Sequence, residues 1–189
     1  MRLGFVPGVM PDRWARTWRE RHPRASFELV PVAAEEAEAA LRSGALDMAL
    51  LRLPVDRRDL HVVVLYSEDP VVVVARDHVA SVYDEVSAAD LADEQFVLGP
   101  PQGLVPVAGQ LAFPAMSVKE AVEVAASGGG VVVLPLSLAR LHHRKDVRHV
   151  RVSDLPGTEV ALAWLISRDD DETQDFVGVV RGRTTRSSR

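Results

Sequence analysis

Short apolar runs alternate along the chain with segments in which apolar residues recur at helical spacing. Apolar runs bounded by glycine, proline or polar residues predict strands over 3–6, 27–32, 46–53, 60–65, 71–74, 96–98, 131–135, 147–152 and 160–166. Helical spacing predicts a first helix between Pro11 and His22, a single turn at 87–91, and further helices over 35–42, 118–126, 137–143 and 173–180. This alternation predicts an α/β fold.

The order of these elements also predicts how the strands pair. Two strand–helix–strand units open the chain, and such units favour parallel strands joined by right-handed crossovers. The unbroken valines of 71–74 indicate a strand that is buried on both faces. The strands at 60–65 and 71–74 follow each other without a helix between them. We therefore expect mostly parallel sheets flanked by helices, with a change of organisation near residue 72.

A capping box gives the clearest local signal. In Ser117-Val118-Lys119-Glu120 the serine oxygen can accept the N–H of residue 120, while the glutamate reaches back to the N–H of residue 117. The glycines at 128–130 supply the end of this helix. They resemble a phosphate-binding loop only superficially, because they follow a helix and precede a strand.

Composition limits the possible chemistry. The chain has 22 basic and 27 acidic residues, a net charge of −5, which disfavours direct contact with nucleic acid. It has no cysteine, so disulfides, thiolate nucleophiles and cysteine-based zinc sites are excluded. No apolar run has the length of a signal peptide core or a membrane span. We expect a cytoplasmic protein that does not enter a membrane.

Two polar segments could suggest binding sites. The basic tail 183–189 is expected to be a disordered, solvated segment rather than a binding arm. His142 and His143 point about 100° apart on a helix, which makes them a poor chelating pair. We expect a solvated helix end there, and neither a metal nor another cofactor.

The ordered set of motifs resembles the effector-binding domain of LysR-type transcriptional regulators, which has the fold of type 2 periplasmic binding proteins. The segments that carry this resemblance are 2–7, 18–23, 41–50, 90–94 and 117–135. Together they extend the resemblance from residue 2 to about residue 182. Each motif is weak alone, and the specificity lies in their order.

The resemblance implies two lobes joined by crossing strands. Residues 1–72 and 162–182 would form the first lobe, and residues 73–161 the second. It also implies that a small effector binds between the lobes and that the domain forms a homodimer. Unpaired N–H groups at helix N-termini favour an anion, so we expect a small carboxylate as the ligand.

This sequence departs from the family pattern in two ways. The family places a winged helix-turn-helix ahead of this domain, whereas the sequence starts at Met1, so we expect DNA contact only through a helix-turn-helix supplied elsewhere. The family usually has a longer helix between the residues matching Leu98 and Ser117. Here residues 99–116 contain four prolines, so one wall of the second lobe should be abbreviated.

Strand-end geometry, matched to the cleft loops of the family, predicts the ligand-binding residues. They are Gly8, Val9, Met10, Arg52, Gly99, Pro100, Gln102, Met116 and Ser117. Arg52 closes an apolar strand, where its guanidinium could bind a carboxylate through two hydrogen bonds, and an ion pair with Asp56 is the equal alternative. Ser117 is interpreted first as a helix cap, a role compatible with a ligand contact.

Three functions compete at this point. A ligand sensor for transcriptional regulation needs only the features above. An enzyme acting on a small carboxylate would need a catalytic constellation, and the sequence has neither a nucleophile elbow nor metal-spaced histidines. A protein–protein scaffold would have a cleft without convergent polar groups. We predict the sensor and no enzymatic activity.

Overall fold

The structure is a computed structural model that describes residues 1–182, and the chain divides into two compact units. The first unit comprises Met1–Ser67 together with residues 159–182, and the second comprises Glu68–Thr158. The lobe boundaries predicted from the sequence, near residues 72 and 162, each lie a few residues after the boundaries of the units, which follow Ser67 and Thr158. The tail 183–189, predicted to be disordered, lies outside the described residues.

Strands and helices alternate through the described chain. The strands are β1 (Arg2–Phe5), β2 (Glu28–Pro31), β3 (Met48–Arg52), β4 (Leu60–Glu68), β5 (Pro70–Ala75), β6 (Glu85–Val86), β7 (Val132–Pro135), β8 (Val147–Val152) and β9 (Thr158–Leu165). The α-helices are α1 (Asp12–Arg21), α2 (Ala37–Arg42), α3 (Val118–Ala126), α4 (Leu136–Leu141) and α5 (Asp171–Val180). Short 3₁₀ turns occupy Val79–Val82, Ala89–Leu91 and Ile166–Arg168.

The first unit is built on a sheet with strand order β2-β1-β3-β9-β4. β1 pairs in parallel with β2 and with β3, as two successive strand–helix–strand units require. β9 pairs with β3 in the antiparallel direction, with Arg52 opposite Val160. Trp18 of α1 and Phe176 of α5 pack edge to face in the core of this unit, with ring centroids 5.5 Å apart.

The second unit is built on a sheet with strand order β6-β8-β5-β7. β5 pairs in the antiparallel direction with both β7 and β8, and only β6 and β8 are parallel. The expectation of mostly parallel sheets is therefore wrong for this unit. The valines of β5 are buried on both faces as predicted, because helices and 3₁₀ turns cover the sheet on either side.

Two local predictions had opposite outcomes. α3 spans Val118–Ala126 as predicted, and both halves of its capping box are present. The strand predicted over 96–98 is wrong, because the segment contributes one isolated bridge, between Phe96 and Val131. The chain turns directly afterwards, since the N–H of Gly99 donates to the carbonyl of Phe96 at 3.0 Å.

Candidate functional site

The turn after β1 holds three of the predicted ligand-binding residues. Gly8 has φ +83°, in the left-handed region that glycine adopts without steric cost. Met10 is 74% exposed, whereas Val9 is 2% exposed and packs in the core of the first unit. The side chain of Val9 therefore packs inside the first unit, and a ligand contact through its backbone stays a prediction.

Arg52, at the end of β3, is directed towards that same turn. Its Nη1 donates to the carbonyl oxygen of Pro7 at 2.8 Å. The alternative ion pair with Asp56 stays a prediction: the Asp56 carboxylate binds Arg58 at 2.5 Å and lies 3.9 Å from Arg42. The hydrogen bonds from Arg58 lower the pKa of Asp56 to about 2. Asp56 therefore stays ionised and bound to Arg58.

The second unit contains a pocket of about 450 Å³ beside the capped helix. Its lining comes from two segments, 96–99 and 110–116, and includes no charged residue. Gly99 and Met116, both predicted from the sequence, lie in this lining. The walls are mainly apolar side chains, among them those of Phe96, Leu111 and Phe113. A pocket of this kind suits a small apolar group such as a ring.

Three predicted residues of the second unit lie outside this lining. Pro100 and Gln102 are exposed in a turn that is closed by the N–H of Leu104 on the carbonyl of Pro101, at 3.2 Å. Ser117 directly follows Met116 and starts α3. The predicted loop thus contributes its first residue, Gly99, to the pocket, and the turn carries Pro100 and Gln102 away into solvent.

Ser117 is fully engaged as a helix cap. Its N–H and its hydroxyl donate to Oε2 of Glu120 at 2.7 and 2.8 Å, and its Oγ accepts the N–H of Glu120 at 3.3 Å. These hydrogen bonds lower the pKa of Glu120. An ionised carboxylate therefore occupies the N-terminus of α3 already, which weakens the case for a second anion bound directly to the Ser117 hydroxyl.

Two glutamines that the sequence did not single out shape the pocket. The side chain of Gln110 bonds to the backbone on both sides of Gln95, and the side chain of Gln95 bonds to the backbone on both sides of Gln110. No local pattern marks this pair, because the partners are 15 positions apart and their contacts run between side chain and backbone.

A second cavity in the same unit, about 310 Å³, lies beside the 3₁₀ turn Val79–Val82. Its ionisable His, Asp and Glu side chains have protein partners. His78 lies 3.1 Å from Glu94, Glu85 binds Arg151 at 2.7 Å, and the carboxylate of Asp90 accepts the N–H of Ser87. These side chains therefore serve structural contacts within the protein.

No group of three His, Asp or Glu side chains within residues 1–182 is placed to hold a metal ion. None of the helices in this range is long and apolar enough to cross a bilayer.

Comparison with known proteins assigns the family. The model of the LysR substrate binding domain matches residues 1–185. The chain belongs to this family. The LysR substrate-binding domain described here is 26% identical over 197 residues to the Hca operon transcriptional activator HcaR of Escherichia coli K12, covering 96% of this chain and 67% of the relative. It is 27% identical over 198 residues to a probable hydrogen peroxide-inducible genes activator of Mycobacterium avium, covering 95% and 64%.

Solved structures place the LysR substrate-binding domain in the same fold. The effector-binding domain of BenM with its effector benzoate aligns with a TM-score of 0.78 at 22% identity, over 97% of this chain and 94% of that one. The reduced form of OxyR aligns with a TM-score of 0.75 at 21% identity, over 96% and 93%. The fold is therefore that of the type 2 periplasmic binding proteins, as predicted. The chain spans about two thirds of the length of the curated relatives that it matches over most of its own length.

Proposed function

We propose that this LysR substrate-binding domain senses a small metabolite that combines an apolar body with a carboxylate, and that it reports this ligand to a transcriptional regulator. The curated relatives HcaR and the peroxide-inducible activator are named as transcriptional activators, which supports a regulatory role over an enzymatic one.

The uncharged pocket of the second unit is the observation that carries this proposal. An apolar wall lowers the free energy of a bound ring by removing its surface from water, by about 25 cal/mol per Å². At about 450 Å³ the pocket exceeds what a single small ring fills, so a substituted ring or a short branched chain also fits. The lining offers no side-chain charge that would favour a wholly polar metabolite.

Arg52, in the first unit, stays a proposed contact for a carboxylate by the family resemblance. A guanidinium binds a carboxylate through charge-assisted hydrogen bonds, which are roughly twice as strong as neutral ones. The BenM domain of the same fold was solved with its effector benzoate, a carboxylate on a ring, which supports the same ligand class here. A homodimer completes the proposal by the same resemblance, and contact with DNA would need a helix-turn-helix supplied elsewhere.

A peroxide response through thiol oxidation is not available to this chain, although three of its relatives are named for peroxide induction. Thiol-based sensing needs a cysteine thiolate, and the chain has no cysteine. The similarity to those activators therefore reflects the shared domain, and a reversibly bound ligand is the signal that the residues present can recognise.

Charge substitutions in the pocket-lining segment test the proposal. Leu111 lines the pocket and is 64% exposed. Val105 lies in the same loop, residues 99–116, is 85% exposed and does not line the pocket. Leu111→Asp should raise the dissociation constant of benzoate and related ring carboxylates at least tenfold, about 1.4 kcal/mol, because it adds a negative charge to an apolar wall. Val105→Asp is the matched control and should bind like the wild type in isothermal titration calorimetry. Equal affinities for all three proteins would contradict the proposed ligand site.

A further inference from the structure

Gln95 and Gln110 form a reciprocal pair of side-chain clamps. Oε1 of Gln110 accepts the N–H of Phe96 at 2.9 Å, and its Nε2 donates to the carbonyl of Glu94 at 2.8 Å. Oε1 of Gln95 accepts the N–H of Leu111 at 2.8 Å, and its Nε2 donates to the carbonyl of Gly109 at 3.0 Å. Each side-chain amide thus takes the place that a neighbouring strand would take in a sheet.

One half of this clamp is anchored to the sheet of the second unit. The carbonyl of Gln95 accepts the N–H of Val131 at 2.8 Å, and the N–H of Val97 donates to the carbonyl of Val131 at 3.0 Å. Phe96, between these contacts, is 2% exposed. Residues 95–97 are therefore fixed by both backbone pairing and burial. They form a rigid support for the segment that the clamp binds to them.

The other half belongs to a segment with little structure of its own. Residues 99–116 contain no helix or strand, and most of their side chains are exposed. Ordering a residue costs about 1–2 kcal/mol of backbone entropy, so such a segment needs specific contacts to keep one shape. The clamp supplies four hydrogen bonds at Gly109–Leu111, where the segment enters the lining of the pocket.

We propose that Gln110, together with Gln95, is a positioning residue for the ligand pocket: the pair holds residues 110–116 against residues 95–97 and so keeps the two walls of the pocket at binding distance. The inference goes beyond the proposed function in assigning the residues that shape the pocket, and its ligand-binding arm rests on that proposed function.

Hydrogen exchange and ligand affinity, measured on the full chain, test this proposal. Gln110→Met keeps the length of the side chain and removes both hydrogen-bonding groups, and Gln110→Glu keeps an acceptor for Phe96 but loses the donor to Glu94. Gln95→Met tests the reciprocal half. Val105→Gln is the control, since it changes an exposed side chain of the same segment outside the clamp and the pocket.

We expect Gln110→Met and Gln95→Met each to raise amide exchange at both Phe96 and Leu111 by roughly tenfold, with a smaller rise for Gln110→Glu and none for Val105→Gln. The effects of the two methionine substitutions should be less than additive in the double variant, because either one alone opens the clamp. The dissociation constant of benzoate should rise about fivefold or more in both methionine variants and stay unchanged in Val105→Gln; Gln110→Glu is read by exchange alone, because it adds a negative charge to the pocket lining.

Unchanged exchange in both methionine variants would overturn the clamp, whatever the affinity. Raised exchange with an unchanged dissociation constant for benzoate would overturn the positioning role. Failure of the proposed function is distinguishable, because in that case the wild-type protein itself binds no carboxylate. The exchange data then still decide whether the clamp exists.

Discussion

Arg52 donates a hydrogen bond from Nη1 to the carbonyl oxygen of Pro7 at 2.8 Å. β1 and β3 are parallel neighbours, with Phe5 opposite Leu50, so their carboxyl ends lie at the same edge of the sheet. The hydrogen bond spans this edge and ties the guanidinium to the turn that contains Gly8. Residues that are 45 positions apart in the sequence are thus brought to one place, as the strand-end argument predicted.

Substitution of Arg52 separates its proposed ligand role from a structural one. Arg52→Ala should weaken binding of a small carboxylate about tenfold or more, because the charge-assisted hydrogen bonds are lost. Arg52→Lys should recover only part of the affinity, since an ammonium group cannot match the planar fork of a guanidinium. Calorimetric titration with benzoate measures both. Arg57→Ala removes a nearby exposed arginine and should leave the affinity unchanged; a loss equal to that of Arg52→Ala would point to general electrostatics.

Gly130 allows the backbone of Gln95 to approach β7. A Cβ at residue 130 would lie 2.5 Å from the carbonyl oxygen of Gln95, and this same oxygen accepts the N–H of Val131. Gly130→Ala should therefore lower the free energy of unfolding by about 2–3 kcal/mol, because backbone cannot move aside cheaply.

Gly128→Ala is the control for that substitution. Gly128 has φ +77° but open space around its Cβ position, so only the backbone strain of about 1–2 kcal/mol applies. Urea unfolding compares the two variants. A smaller loss for Gly130→Ala than for Gly128→Ala would show that the close approach to Gln95 is not a feature of the folded protein.

The capping box of α3 makes stability depend on pH in a defined direction. Hydrogen bonds from Ser117 lower the pKa of Glu120 below its ordinary value of 4.5. A depressed carboxyl pKa stabilises the fold above the pKa of the unfolded chain, and this contribution is lost as the pH falls through the lower, folded value.

Variants at both positions of the capping box check this sign. Glu120→Gln should be less stable than the wild type at pH 7, and the difference should disappear in acid, where both side chains are uncharged. Ser117→Ala should cost about 1 kcal/mol at pH 7, the usual value for a lost N-cap. Denaturation curves at a series of pH values measure both effects. A difference between wild type and Glu120→Gln that grows in acid would contradict the assignment.

Local signals in the sequence predicted the elements that depend on local contacts. α3 was located at both ends because its cap, its apolar spacing and its terminating glycines lie within 14 residues, from Ser117 to Gly130. Phe96, Val97 and Leu98 have the composition of a strand, yet only Phe96 pairs with a neighbouring strand. Its N–H is taken by the side chain of Gln110, a contact that propensity does not encode.

The site was predictable where it follows from strand ends and not where it depends on distant side chains. Arg52 and Gly99 lie at the ends of apolar runs, so their neighbourhood could be inferred from the sequence. Val9 could not be recognised as buried, because the turn after β1 folds back through the N–H of Val9 on the carbonyl of Val6. The role of Gln110 could not be recognised from the sequence either, because it depends on hydrogen bonds to Phe96 and Glu94, which are distant in the sequence.

Thermal unfolding of the wild-type chain in the presence of small carboxylates tests the central claim most directly. A panel of aromatic and branched aliphatic acids, each at a saturating concentration, should contain at least one that raises the melting temperature, because a ligand at 100 times its dissociation constant stabilises the folded state by about 2.7 kcal/mol. Matched neutral amides of the same acids should stabilise less. An unchanged melting temperature across the whole panel would contradict a carboxylate-sensing domain.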